Sequence, residues 1–144
     1  LVLKTVQMIE MGEAHPVEQS EFITDSVELK HAPKIYKENC RINWSEPGNK
    51  IHNFIRGLSP YPAAFTEFIS GETVIPFKIY KTNFEPEAEL NFSSVPVTDG
   101  KSFFKIACNG GSLSILDLQQ AGKKRLHIDE FLRGFKMAET LHVK

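Results

Sequence analysis

The sequence holds only two cysteines in 144 residues, Cys40 and Cys108, with no metal-type spacing between them. A disulfide-stapled scaffold is thereby excluded, and the pair reads as free, reduced thiols of a cytoplasmic protein. No apolar run approaches the roughly 18 residues that a membrane-spanning helix needs, so no membrane partner is expected. Neither sign of charge is in excess: 17 basic residues face 18 acidic ones, for a net −1. That total argues against a strongly basic nucleic-acid binder. There is no phosphate-cradling glycine loop, no nucleophile elbow and no zinc signature. The five histidines, His15, His31, His52, His127 and His142, are scattered with no pair at ligand spacing. Neither a metal nor a catalytic residue is expected in this chain. Glu85, Glu87 and Glu89 have no base or ligand near them in sequence and are expected in a solvated loop.

What remains is ordinary globular material, with 41% hydrophobic and 24% charged residues, which excludes a disordered or collagen-like chain. The length suits one compact domain. Leu1 is not Met, and Leu1 to Ile9 is an amphipathic helical pattern without an N-cap, so the chain is expected to begin within a helix. Gly12 is placed to end that helix, and residues 13–33, bracketed by Pro16 and Pro33, read as a polar linker with a short turn. Ser45-Glu46-Pro47 predicts a helix start with Ser45 as N-cap. Ile51, Phe54, Ile55 and Leu58 then give one helix face, which Gly57 and Pro60-Tyr61-Pro62 terminate.

Beyond Pro62 the period changes to two. Ala63 to Ile69, a turn at Ser70-Gly71-Glu72, and Thr73 to Thr82 predict a hairpin. Ile75, Phe77 and Ile79 should share one face of the second strand; Lys78, Tyr80 and Thr82 should share the other. Pro76 suggests an edge or a bulge. Val95-Pro96-Val97 is a candidate short strand, Ser102 to Cys108 and Ser112 to Gln119 are strands, and Asp99-Gly100 and Asn109-Gly110-Gly111 are turns. In the last strand the apolar face moves from Leu113 and Ile115 to Leu116 and Leu118, which predicts a bulge or barrel corner. Ile128, Phe131, Leu132 and Phe135 predict a closing helix. The expected fold is mainly β: a small, partly open Greek-key barrel of the oligonucleotide-binding kind with flanking helices, with a flat α+β sheet as the alternative.

The near-neutral total conceals an uneven distribution. Residues 1–30 carry two basic and six acidic residues, whereas residues 31–144 carry fifteen basic and twelve acidic. Positive charge gathers at Lys34, Lys37 and Arg41; at Lys78 and Lys81 around Tyr80; and at Lys123-Lys124-Arg125, with Arg133 and Lys136 on the next helix. Consecutive cations on a loop can follow a phosphate backbone, and an aromatic between cations can stack on a base. Solvated surface and helix-terminal cations are the plainer reading of the same residues.

Three stretches resemble the C-terminal domain of the bacterial methionyl-tRNA formyltransferases, in order and over about residues 1–136. They are Ala32-Pro33-Lys34-Ile35-Tyr36-Lys37-Glu38 with Arg41-Ile42-Asn43-Trp44-Ser45, the run from Ile51 to Thr66, and Leu116 to Arg125 followed by Asp129 to Gly134. Leu90 to Val97 departs from the strand common in that family. The resemblance implies that residues 1–31 are the end of an N-terminal formyltransferase domain plus a linker, and residues 32–144 an oligonucleotide-binding-like domain. It implies a parent enzyme that passes a formyl group from 10-formyltetrahydrofolate, bound outside these residues, to the amino group of methionyl initiator tRNA. The implied partners are that tRNA and the chain's own catalytic domain, with no obligate protein partner. Lys34, Lys37, Lys123, Lys124 and Arg125 match positions implied to contact the tRNA; Lys78, Lys81, Arg133 and Lys136 match less closely. Trp44, Phe54, Ile55, Pro60 and Tyr61 match packing between helix and barrel, with Trp44 an apolar anchor rather than a base platform. The related barrel of an enzyme formylating a sugar nucleotide, or acting on the folate itself, is the alternative.

Overall fold

A computed structural model describes residues 1–23, 31–135 and 141–144, which divide into two units, Leu1–Lys34 and Ile35–Lys144. In the first, helix α1 (Val2–Glu10) ends as its sequence predicts. Gly12 takes φ +69°. Its N–H bonds to the carbonyl of Ile9, and that of Glu13 to the carbonyl of Met8, which together make a Schellman cap. None of the helix's side chains is buried. A 3₁₀ turn at Gln19–Phe22 interrupts the polar stretch that follows.

The second unit opens with a 3₁₀ turn, Lys37–Cys40, and helix α2, Gly48–Leu58. Strands β1 (Ala64–Ser70), β2 (Thr73–Pro86), β3 (Val97–Thr98), β4 (Phe104–Cys108), β5 (Gly111–Gln120) and β6 (Leu126–His127) follow, then helix α3 (Ile128–Gly134) and β7 (His142–Val143). The seven strands form one sheet in the order β3-β4-β5-β2-β1-β7, with β6 joined to β5. Every ladder between these strands is antiparallel.

The sheet is curled, not flat. The Val143 N–H bonds to the Ser94 carbonyl at 2.8 Å and the Ser93 N–H to Ala107 in β4 at 3.1 Å. Those two bonds bring the β7 end round to the β4 side, so the flat alternative does not apply. Curling follows from length. A straight strand of fourteen residues, as in β2, would run about 46 Å, whereas a domain of this size is roughly 35 Å across. Two bulges relieve the mismatch. The β2–β5 register skips Tyr80 on one strand and Leu116 on the other. Each extra residue bends its strand and strengthens the twist.

Inside the curl lie Phe68, Phe77, Phe104, Ile106, Leu113, Ile115 and Leu118, all with at most 1% of their surface exposed. Phe68 links two of these rings, with centroids 4.7 Å from Phe77 and 5.5 Å from Phe104. Helix α3 covers one opening, its Phe131 edge-on to Phe77 at 5.6 Å. Helix α2 buries Ile51, Ile55 and Leu58, as the spacing predicts. Trp44 is buried, and its indole N–H donates to Thr66 Oγ1 at 2.9 Å. The Thr66 hydroxyl donates in turn to the Lys144 carbonyl at 3.1 Å.

Several local expectations give way to tertiary contacts. Ser45 is not an N-cap: α2 begins at Gly48 with no side-chain cap. The Ser45 hydroxyl bonds to Asn43, while the Asn109 carbonyl, from the β4–β5 turn, accepts the Gly48 N–H at 2.9 Å. Thr82 points inward, because the Tyr80 bulge reverses the alternation of β2. Glu85 belongs to β2 and not to a loop, while Val95 lies outside the short strand β3. Pro60 is exposed, and Tyr61 is 87% exposed, so neither serves the packing expected of it.

Gly111 is a point where nothing larger fits. A Cβ there would sit 2.3 Å from the Glu85 carbonyl oxygen. Because that atom is ladder backbone, Gly111→Ala is expected to cost at least about 2 kcal/mol, read as a lowered urea midpoint with an unchanged slope.

Candidate nucleic-acid interface

Strand β2 decides which side the cations of this surface face. Lys78 precedes the Tyr80 bulge and lines a groove of about 750 Å³ together with Lys37, Tyr61, Gln119 and Gly122. Lys81 follows the bulge and lines a second groove of about 450 Å³, with Arg56, His52, Tyr80 and Arg125. The two lysines that the sequence groups around Tyr80 therefore serve separate grooves.

The loop carrying Lys123 and Lys124 is fixed from beneath. The Ala121 N–H bonds to Pro76 and that of Lys123 to Gln120. Gln119 then ties loop to sheet: its Nε2 donates to the Lys123 carbonyl at 2.7 Å, and its Oε1 accepts the Tyr80 hydroxyl at 2.6 Å. Both lysines are exposed at the turn, next to the Gly122 end of the larger groove. Lys37 is also exposed and starts its 3₁₀ turn on that groove. Among the described residues, no carboxylate lies within ion-pair distance of Lys37, Lys78, Lys123 or Lys124. Lys34 ends the first unit and is exposed. Lys136 lies outside the described residues.

Arg125 differs from these lysines. Its guanidinium lies 4.4 Å from the Tyr80 ring centre and bonds to Asp117 at 2.5 Å. A paired, stacked arginine is a positioned donor whose charge is already partly answered. Asp117 and Gln119 carry no functional signal in the sequence, whereas Tyr80 is marked there by the lysines on either side of it. Arg41 is likewise held, by Glu67 at 2.8 Å. That bond, with the Arg41 charge behind it, keeps the Glu67 carboxyl below the usual carboxylate range. Glu67, the one acid lining the larger groove among the described residues, is thus neutralised within its own wall.

Among the described residues no group of three His, Cys, Asp or Glu side chains could hold a metal ion. Burial pushes the Cys108 thiol up to about 11, away from the thiolate that a nucleophile requires. His52 is spent on Thr82, with Nδ1 3.0 Å from Oγ1. Arg133 reaches Asp129, whose carboxyl is lowered chiefly by the His127 hydrogen bond. Among the described residues no helix is long and apolar enough to cross a membrane.

The family described as formyl transferase, C-terminal domain, matches residues 34–136. A methionyl-tRNA formyltransferase of Bacteroides fragilis is 43% identical over 146 residues, covering all of this chain and 44% of the relative. One from Bacteroides thetaiotaomicron is 46% identical over 141 residues, covering 96% of the chain and 43% of the relative. One from Flavobacterium johnsoniae is 36% identical over 142 residues, covering 99% and 44%. The chain thus spans less than half the length of the curated relatives it matches.

Two carboxylates away from these grooves make stability depend on pH in a defined direction. Hydrogen bonds from Lys105 and then Ser114 hold the Glu85 carboxyl below its ordinary range. The Ser102 hydroxyl and the backbone N–H groups of Ser102, Lys101 and Phe103 do the same for Asp99. With folded values below unfolded ones, unfolding takes up protons in acid. The stabilisation is present above the unfolded carboxylate range and is lost as pH falls through the folded values. The denaturation midpoint is therefore expected to fall steadily below about pH 4.5, and Glu85→Gln should flatten that fall when midpoints are compared at pH 6, 4 and 3.

Proposed function

Because the chain belongs to the formyl transferase C-terminal domain family, we propose that it is the tRNA-holding barrel of a methionyl-tRNA formyltransferase. In this reading residues 1–31 close the catalytic domain and link it to the barrel of residues 32–144. The catalytic domain moves a formyl group from 10-formyltetrahydrofolate to the amino group of methionyl initiator tRNA, in the cytoplasm, for the start of translation. The chain described here supplies no reacting group and binds neither the folate nor a metal. Its task is to hold the RNA while the chemistry proceeds elsewhere.

The observation that carries the reading is the pair formed by Lys37 and Lys78 on one groove, with the exposed Lys123-Lys124 turn at its Gly122 end. Phosphates of an RNA backbone fit a row of cations without needing sequence-specific contacts, and such contacts orient the ligand more than they select it. Lys34, Lys37, Lys123 and Lys124 are assigned to phosphates. Arg125, pinned by Asp117 and Tyr80, is assigned to a contact of fixed direction on the neighbouring groove. Each contact is weak alone. Tethering to the catalytic domain turns the barrel's binding into an intramolecular event, which raises its effect without new contacts. A barrel that serves only active-site closure or assembly, as in the sugar-nucleotide alternative, would have no use for a groove lined by unpaired lysines, which favours the RNA reading.

Binding of initiator tRNA to the chain across a salt series tests this. With three to five phosphate contacts, the slope of log affinity against log salt is expected to lie at about −2 to −5. Lys123→Ala combined with Lys124→Ala should reduce that slope by about 2 units. A flat wild-type series would end the proposal, and an unchanged slope in the double variant would move the contacts away from this loop.

A further inference from the structure

Two tyrosines adjoin the cationic grooves, and their surroundings differ. Tyr80 is committed: one face of its ring lies under the Arg125 guanidinium, and its hydroxyl is bonded to Gln119. Tyr61 is 87% exposed, the most solvent-exposed aromatic ring among the described residues. It stands between Pro60 and Pro62 on the turn that leaves α2. That turn is closed at its base, where the Ala63 N–H bonds to the Leu58 carbonyl at 2.9 Å and Ala63 itself is buried. Two proline rings and a closed base leave the tyrosine little backbone freedom to lose on binding, which is what a binding platform requires.

The position of the ring gives it a ligand class. Tyr61 borders the larger groove beside Lys37 and Lys78, with Glu67 in the wall answered by Arg41. An exposed aromatic face next to unpaired cations suits a ligand that is both aromatic and anionic. RNA whose bases are unstacked has that character, since base–aromatic stacking works only where the base face is open. We propose that Tyr61 is a stacking platform for an unpaired base of the bound RNA, with Lys37 and Lys78 taking the phosphates that flank it. The inference rests on the reading that this chain binds tRNA, and it adds a contact that senses the difference between folded tRNA with open bases and plain duplex.

The test uses the 144-residue chain with labelled initiator tRNA and, in parallel, a blunt, fully paired RNA duplex. Tyr61→Ala is expected to weaken tRNA binding about tenfold while leaving the salt slope and the duplex affinity unchanged. Tyr61→Phe should stay within about twofold of wild type, because the ring and not the hydroxyl makes the contact, and Tyr61→Leu should behave like alanine. Tyr61→Trp gives a direct signal, since Trp44 is buried at 4% exposure. An exposed indole stacked on a base should lose emission when tRNA is added, and not when the duplex is. If wild type binds tRNA with a steep salt slope and Tyr61→Ala binds equally well, the platform is wrong and the RNA-binding reading stands. An equal loss on tRNA and duplex also overturns it, since the ring would then be supporting the groove. Should wild type bind no tRNA at all, both readings fall together.

Discussion

The constraint on which the rest of the molecule depends is the pairing of β2 with β5. These are the two longest strands, and a straight β2 would overrun a domain of this size. Each contains one residue outside the ladder, Tyr80 or Leu116. The bend this produces does two things at once. It turns Thr82 inward, where it meets His52 of α2. It also sends Tyr80 and Lys81 to a different groove from Lys78. A bulge that looks like an accommodation of length is therefore also what sets the direction of the surface cations.

Segments far apart in sequence are fastened to this bent pair largely by backbone groups. The start of α2 is held by the Asn109 carbonyl, and the Asn109 side chain also bonds the Ser45 carbonyl and the Phe92 N–H. The strand containing Thr66 connects the Trp44 indole with the Lys144 carbonyl. Leaving any of these polar groups buried without a partner would cost about 1–3 kcal/mol, and among the described residues no buried side-chain nitrogen or oxygen is without one. The same economy explains why β7, two residues long, suffices to close the curl. Its main-chain bonds to Ser94 and Glu67 complete partners that would otherwise face an open edge.

How far the sequence could be read follows from whether a feature is local. The α2 face, the β1–β2 hairpin, the corner in β5 and the closing helix were legible, because each is written as a periodicity or a turn within a dozen residues. The Ser45 cap failed because a carbonyl from a distant hairpin took that role. Thr82 failed because strict alternation assumes an unbroken ladder, and the compensating bulge lies on a strand whose own pattern shows no break. Strands β6 and β7 are too short for any periodicity. Of the interface, the lysines were legible as clusters, whereas their division between two grooves was not. Tyr61 was misread because an aromatic between prolines looks the same in sequence whether its ring turns in or out.

The described cations fall into two kinds, and the difference bears on the field that a nearly neutral chain presents to an anion. Arg41, Lys105 and Arg125 are each matched by a carboxylate on a neighbouring strand or segment. Such exposed pairs add little to stability, but they cancel acids that would otherwise repel an anion. Lys37, Lys78, Lys123 and Lys124 have no such partner among the described residues. A phosphate approaching the larger groove therefore meets lysines whose charge has not been spent and an acid, Glu67, whose charge has. Net charge is a sum over the whole chain, while the field at a groove is dominated by charges within about a Debye length, roughly 8–10 Å in physiological salt. On that scale the pairing pattern around the groove, not the total of −1, sets the field that an anion meets.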